Sequence, residues 1–171
     1  MDLDAHIRRV PDFPKPGILF YDISTLLAHP RARATAYVRM SELAARYAPE
    51  YIVGIESRGF IVGMALAERL GCGFVMLRKR GKLPGDTIVH SYDLEYGSDS
   101  IEIVNGLVPS GARCVIADDL MATGGTAAAA VSLLSKVDAL PLAAVGLIEL
   151  EGLGARDRIQ VPLHAILRYP A

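Results

Sequence analysis

The sequence predicts an α/β protein, with helices covering a central, mostly parallel sheet. Three observations carry that reading. Short runs rich in Val, Ile and Leu, apolar on both faces, recur along the chain, as buried parallel strands do. Helical segments alternate with them. Several of the runs end in charged residues, at the carboxyl ends where open α/β sheets bind ligands.

In order, the charged stretch from Met1 to Val10 reads as a short helix. "PDFPKPGILF", Pro11 to Phe20, cannot continue it, because three prolines fall within six residues and Gly17 follows. Pro30 starts a helix to about Tyr47, with Tyr37, Met40, Ala44 and Tyr47 on one face. "YIVGIE", Tyr51 to Glu56, is a buried strand ending in an acid. Arg58 to Leu70 is helical, and Gly71 stops it. "GFVMLRKR" is a strand with a basic end, and "GKLPGDTIVH" has the composition of a long surface loop. "SYDLEYGSDSIEIV" alternates polar and apolar on both sides of Gly97-Ser98, as a hairpin does. Then follow the strand "ARCVIA", a helix from about Gly125 to Val137, and the strands "LPLAAVGLIEL" and "VPLHAIL". Ala127, Ala130, Val131 and Leu134 form the inner face of that helix.

The 171 residues suit one domain with a sizeable core, and no repeat, low-complexity tract or linker divides them. The Pro-rich N-terminal part and the hairpin read as additions to the α/β core. A net charge of −1 gives no field favouring nucleic acid or an anionic membrane. The N-terminus has no apolar signal core, and no apolar run approaches the roughly 18–20 residues of a membrane span. Cys72 and Cys114 sit among small or apolar residues and read as buried, reduced thiols. Together these features predict a cytoplasmic location.

The chemistry concentrates in "VIADDLMATGGTAAAA", Val115 to Ala130. Asp118 and Asp119 stand where a core strand ends. Ionised carboxylates only accept hydrogen bonds, so they suit hydroxyl groups or a hydrated cation. Directly afterwards, Ala122, Thr123, Gly124, Gly125 and Thr126 lead into a helix. Their N–H groups and hydroxyls can surround a phosphate, the helix dipole favours its charge, and the glycines let it approach closely. Diol acceptors beside phosphate donors match a ribose 5-phosphate; the alternative is a solvated acidic turn with an ordinary cap. No P-loop, G-x-G-x-x-G or G-x-S-x-G motif occurs. The four histidines are scattered without metal-ligand spacing, and His90 reads as a solvated loop residue.

"CVIADDLMATGGTAAA" resembles the signature of the type I phosphoribosyltransferases. "DFPKPGILFYDIS", "GIESRGFIVG", "RKRGKLPGDTI" and "YDLEYGSDSIEI" resemble, in the same order and with similar spacing, segments of that family's adenine-specific members. The resemblance spans about Ile7 to Leu167. It implies the type I phosphoribosyltransferase fold, with an N-terminal hood over about residues 1–29 and a flexible lid loop and hairpin over about 81–103. It implies transfer of 5-phosphoribosyl from phosphoribosyl pyrophosphate (PRPP) to N9 of adenine, giving AMP and pyrophosphate. Mg²⁺ is then required, held mainly by PRPP and water with no direct protein ligand expected, and the chain is expected to be a homodimer.

Carried onto this chain, Asp118 and Asp119 hold the ribose hydroxyls, and Ala122 to Thr126 cradle the 5-phosphate. Glu56, Ser57 and Arg58 form a pyrophosphate-binding turn, with a cis peptide expected between Glu56 and Ser57; otherwise Arg58 simply begins a helix. Arg78, Lys79 and Lys82 clamp the pyrophosphate, although a charge run alone can equally be a solvated face. Glu95 is the acid–base candidate and Tyr96 helps place the ribose or pyrophosphate; without the resemblance Glu95 is an exposed hairpin residue. Phe20 and Leu120 are the slabs on either side of the base, whose edge is read by backbone near Leu19 and Tyr21. Family members for 6-oxopurines commonly use a lysine on the strand after the phosphate-binding helix, and residues 143–151 contain none. The adenine enzymes usually carry arginine where this chain has Tyr21, which leaves open what that side chain does. Two other readings stay in play: a phosphoribosyltransferase for hypoxanthine, guanine or xanthine, and a non-catalytic PRPP-binding regulator. Against the regulator, Glu95 and the RKRGK cluster are both present.

Overall fold

The computed structural model describes residues 1–94 and 96–171, in which the strands form two sheets. The smaller is an N-terminal ribbon in which β1 (Arg8–Pro11) runs antiparallel to β2 (Leu19–Asp22). The expected N-terminal helix is only a 3-10 turn over Asp4–His6, after which the chain extends. The Pro/Gly segment supplies the ribbon's bend. Asp12 takes a left-handed φ of 55°, its Oδ1 accepts the Gly17 N–H at 2.7 Å, and Phe13–Pro14 is cis. The prolines that rule out a helix here therefore build a turn between two strands.

The short α1 (Ser24–Ala28) leads to α2 (Pro30–Ala45). Pro30 occupies the first turn, where its missing N–H has no cost, and His29 Nδ1 caps the helix by accepting from Ala32 N. Apolar residues recur every four positions on the inner face, with Ala32, Ala36, Met40 and Ala44 fully buried. Tyr37 and Tyr47 only flank that stripe, and the helix ends two residues before Tyr47.

The larger sheet is built from β3 (Tyr51–Ile55), β4 (Gly73–Lys79), β5 (Thr87–Asp93), β6 (Ser98–Val104), β7 (Arg113–Met121), β8 (Leu140–Glu151) and β9 (Leu163–Pro170). Their spatial order is β5-β6-β4-β3-β7-β8-β9. The five from β4 to β9 are parallel, and the β5–β6 hairpin adds to the β4 edge antiparallel. The hairpin starts earlier than the composition of 81–90 indicates. Thr87 pairs with Val104 and His90 with Ile101, so only the segment before Thr87 is loop. Gly81, Pro84 and Gly85 mark that loop; the β-branched run after them belongs to the strand.

Between strands lie α3 (Arg58–Leu70), closed by left-handed Gly71, then α4 (Gly125–Lys136) and the single-turn α5 (Ala155–Arg158). The sheet is sandwiched. Ile52, Val115, Ala117 and Val145 face α2 and α3; Val53, Val75, Leu77 and Ile116 face α4 and the hairpin. This double burial explains why the strands read as continuous apolar runs. Cys72 and Cys114 are free thiols, and burial pushes Cys114 up to about 11.

Candidate active site at the diverging crossovers

From β3 the chain crosses through α3 to β4 on one side; from β7 it crosses through α4 to β8 on the other. The switch between these directions falls between β3 and β7, where open α/β sheets leave a crevice at their carboxyl ends. The ends of β4, β3 and β7 are neighbours here, so Arg78 and Lys79, Glu56, and Asp118 to Met121 meet along one edge.

The two aspartates lie among the last four residues of β7 rather than beyond it. Asp119 is buried, and Arg58 Nε reaches its Oδ2 at 2.9 Å. Asp118 is half-buried, and its Oδ1 accepts the Asp119 N–H at 2.9 Å. Removal from water, with the Asp119 charge beside it, pushes the Asp118 carboxyl well above the usual carboxylate range. The aspartates also face a helix with almost no clearance. A Cβ placed on Gly59, in the first turn of α3, would lie 2.8 Å from Asp118 Oδ1 and 3.0 Å from the Ala117 carbonyl oxygen. Glycine here lets the start of α3 come down onto the carboxylate.

Past Met121, the chain turns through Ala122 and Thr123 into Gly124 at φ 78°, the N-cap of α4. A Cβ on Gly124 would also be 2.9 Å from Ala155 Cα, so both conformation and space require glycine. Gly124 has no side chain to cap α4, and among the described residues the one side-chain acceptor at its first turn is Thr123 Oγ1, a long 3.5 Å from Gly125 N. The loop from Asp118 to Thr126, with Leu120 alongside, instead encloses a small cleft of about 110 Å³, which puts the free N–H groups of the first helical turn beside the paired carboxylates. Thr126 Oγ1 lies 3.5 Å from the Tyr92 hydroxyl, joining the hairpin to this corner.

On the other side, the peptide between Glu56 and Ser57 is cis. Glu56 is the hub of the basic cluster. Its carboxylate accepts from Arg78 Nη2 at 3.1 Å, Lys79 N at 2.8 Å and Lys82 Nζ at 3.0 Å. Partial burial works to raise its pKa, but the Arg78 guanidinium, the Lys79 N–H and the Lys82 ammonium outweigh it and hold the carboxyl down at about 2. Lys79 Nζ pairs with Asp99 of β6.

Glu102, also of β6, is buried, and accepts from Leu83 N at 2.8 Å, Lys82 N at 3.1 Å and Thr87 Oγ1 at 3.3 Å. These backbone and hydroxyl donors overcome the effect of burial and hold its carboxyl below the usual range. The start of the loop before β5, and Lys82 with it, is thus fixed to the sheet.

The base-side residues are less assembled. Phe20 lines a cavity of about 480 Å³ with Phe13, Arg58 and Ile61, whereas Leu120 lines the smaller cleft. Arg58 spans from Asp119 of β7 to the larger cavity, where its guanidinium is 5.6 Å from the Phe20 ring centre. Leu19 is exposed; Tyr21 is buried with its side chain on the opposite face of β2 from Phe20, stacked on Tyr169. Tyr96 is 90% exposed, and Glu95 lies outside the described residues. Sequence reasoning missed Asp99 and Glu102, read as polar residues of a hairpin. An acid flanked by two isoleucines in "SIEIV" was the available signal for Glu102.

Comparison with known proteins identifies the family and matches the fold. The family described as "phosphoribosyl transferase domain" matches residues 22–152. The adenine phosphoribosyltransferase of Acidiphilium cryptum is 56% identical over 99% of both chains. The crystal structure of the Rhodothermus marinus adenine phosphoribosyltransferase is 45% identical, with a TM-score of 0.91 over 98% of this chain and 96% of its own. The Saccharomyces cerevisiae enzyme, solved with adenine and an imino-altritol bisphosphate, is 39% identical, with a TM-score of 0.87 over 94% of each chain.

Proposed function

The chain belongs to the adenine phosphoribosyltransferases, within the phosphoribosyl transferase domain family, and from that premise we propose that it transfers the 5-phosphoribosyl group of PRPP to N9 of adenine. The C1′–oxygen bond to pyrophosphate breaks, the N9–C1′ bond forms, and the N9 proton passes to a base on the chain. One observation carries the reading. The paired carboxylates Asp118 and Asp119, which can take a diol, end β7 where the chain turns into the N-terminus of α4, and Asp118 shares a cleft with that N-terminus, whose loosely held N–H groups can take a phosphate.

In this reading Asp118 and Asp119 hold the ribose hydroxyls, and the segment Ala122, Thr123, Gly124, Gly125 and Thr126 receives the 5-phosphate. Arg58 leaves Asp119 as the ribose arrives. The turn of Glu56, Ser57 and Arg58, with Arg78, Lys79 and Lys82, takes the pyrophosphate. Phe20 and Leu120 close on the two faces of adenine once Arg58 has moved, and the Leu19 and Tyr21 backbone reads its edge. A carbonyl there accepts from a 6-amino group and repels a 6-oxo oxygen. Glu95 manages the N9 proton and Tyr96 folds over the ribose or pyrophosphate. The loop before β5 and the hairpin serve as a lid that keeps water from the oxocarbenium-like ribose.

When bound with PRPP, Mg²⁺ would supply charge neutralisation for the departing pyrophosphate. The donor set suits an ion carried in by substrate. Among the described residues no three His, Cys, Asp or Glu converge into a cage. Mg²⁺ commonly keeps several waters beside substrate phosphates, so PRPP and water would hold it while Asp118 and Asp119 take the ribose hydroxyls. We further read the chain as a cytoplasmic homodimer. Ile61 and Met64, one turn apart on α3 and about half-exposed, provide an apolar face for association.

A panel of bases tests the proposal. With PRPP and Mg²⁺, adenine should release pyrophosphate, and guanine, hypoxanthine and xanthine should not. Turnover confined to a 6-oxopurine would move the assignment to another base, and PRPP binding without any turnover would make the chain a regulator.

A further inference from the structure

Among the described residues the N-terminal ribbon forms its own sheet, with no ladder to the seven-stranded one, so side-chain packing fixes its position. Leu3, Ile7 and Ile23 anchor its ends in the core. Its inner strand β2 is fixed differently. Phe20 and Tyr21 are successive residues, so the pleat sends them to opposite faces. Phe20 looks into the 480 Å³ cavity. Tyr21 lies flat against Tyr169 of β9, ring centres 4.4 Å apart and planes 7° apart, and its hydroxyl donates to the Pro170 carbonyl at 3.2 Å. Arg9, opposite Tyr21 in the ribbon, completes the stack. Its guanidinium is 5.0 Å from the Tyr169 ring centre and 5.9 Å from that of Tyr21, and Asp4 holds it at 2.7 Å.

Tyr169 is only 7% exposed. Its hydroxyl is buried beside Asp4, yet has no hydrogen bond of acceptable geometry among the described residues. The ring therefore accounts for the residue's contacts: it is the surface on which β2 rests. β9 carries that surface rigidly, because it is paired with β8 from Leu163 through Pro170.

We propose that Tyr169 is a positioning residue for base binding. By stacking on Tyr21 it sets the height of β2, and with it the Phe20 ring and the Leu19 and Tyr21 backbone groups that meet the purine. This rests on the functional reading above and extends it to a residue in β9 that touches no substrate. A displaced β2 weakens adenine binding and leaves the PRPP corner on β7 and α4 alone.

Steady-state kinetics with each substrate varied test this. In Tyr169→Leu the adenine KM should rise about tenfold, the size of a lost aromatic stack. The PRPP KM and kcat should stay within about twofold. Tyr169→Phe keeps the ring and should behave as wild type. Arg9→Met, on the solvent side, should raise the adenine KM about threefold without threatening the fold, and it decides the matter if Tyr169→Leu does not fold. Hydrogen exchange supplies a readout free of turnover: amides of Leu19–Asp22 should exchange faster in Tyr169→Leu, and those of Arg113–Met121 should not. An unchanged adenine KM in both folded variants, or equal rises for adenine and PRPP, overturns the proposal. A wild-type chain inert towards adenine strikes the functional reading instead; unchanged exchange in β2 then separately rejects the role of Tyr169.

Discussion

Gly59→Ala is the sharpest test of how the site is built. A methyl at this position has two fixed neighbours. Asp118 Oδ1, at 2.8 Å, is held by the Asp119 N–H, and the Ala117 carbonyl, at 3.0 Å, belongs to the middle of the sheet. A comfortable carbon–oxygen contact is about 3.3–3.6 Å, so roughly half an ångström must be found by lifting α3 or turning Asp118 away. Overpacking of this kind costs about 1–3 kcal/mol. Alanine's helix propensity gives back at most about 1 kcal/mol, and less in a first turn. The net loss is about 1–2 kcal/mol, or roughly 3–6 °C in Tm for a chain of this size. Because Asp118 absorbs the displacement, the PRPP KM should rise with the fall in Tm, and the adenine KM should change less. Thermal unfolding and two-substrate kinetics on one preparation measure both. A Tm that rises by a degree or more with PRPP binding intact, as propensity alone would give, refutes the close approach.

Three further outcomes follow from the same corner. Gly125→Ala has room, since its Cβ would meet only Arg158 Nη1 at 3.4 Å and Thr123 Oγ1 at 3.7 Å; Tm should hold within about 2 °C while the added methyl obstructs the phosphate cradle and raises the PRPP KM. Asp118 has a raised pKa in the fold, so its contribution to stability is present below the ordinary carboxylate range and is lost as pH rises through the folded value. Asp118→Asn should therefore melt higher than wild type at pH 8, with the gap closing towards pH 4 and activity falling throughout; equal melting curves at both pH values would contradict it. Glu56 shifts the other way, from 4.5 to about 2, so its contribution is present above pH 4.5 and fades as pH falls through 2. Urea titrations should show a shallower acid decline in Glu56→Gln, with a difference of at most about 3 kcal/mol.

Much of this was legible in the sequence. Buried parallel strands carry runs such as "YIVGI" and "CVIA" because both faces meet helices, and the Asp pair followed by T-G-G-T marks locally where β7 ends and α4 begins. The ribbon was not legible, because Pro14, Pro16 and Gly17 mark only where a helix cannot be, and β1 has no apolar alternation to announce it. The start of β5 was hidden by the glycines before it. Partner choice was the other blind spot. Glu102 and Asp99 look like ordinary hairpin polars until the loop before β5 and Lys79 are brought to them, which no local pattern encodes. Tyr21 shows the same limit. Only the position of Tyr169, far along the chain, reveals which way its ring faces.

The four cations assigned to the leaving group all have internal partners: Arg78 and Lys82 share Glu56, Lys79 has Asp99, and Arg58 has Asp119. An incoming polyanion must therefore trade places with a tethered carboxylate, and it gains only the difference between the two embraces. In the proposed mechanism the same side chains have somewhere to return at the end of a turnover, so the diphosphate would be let go rather than hoarded.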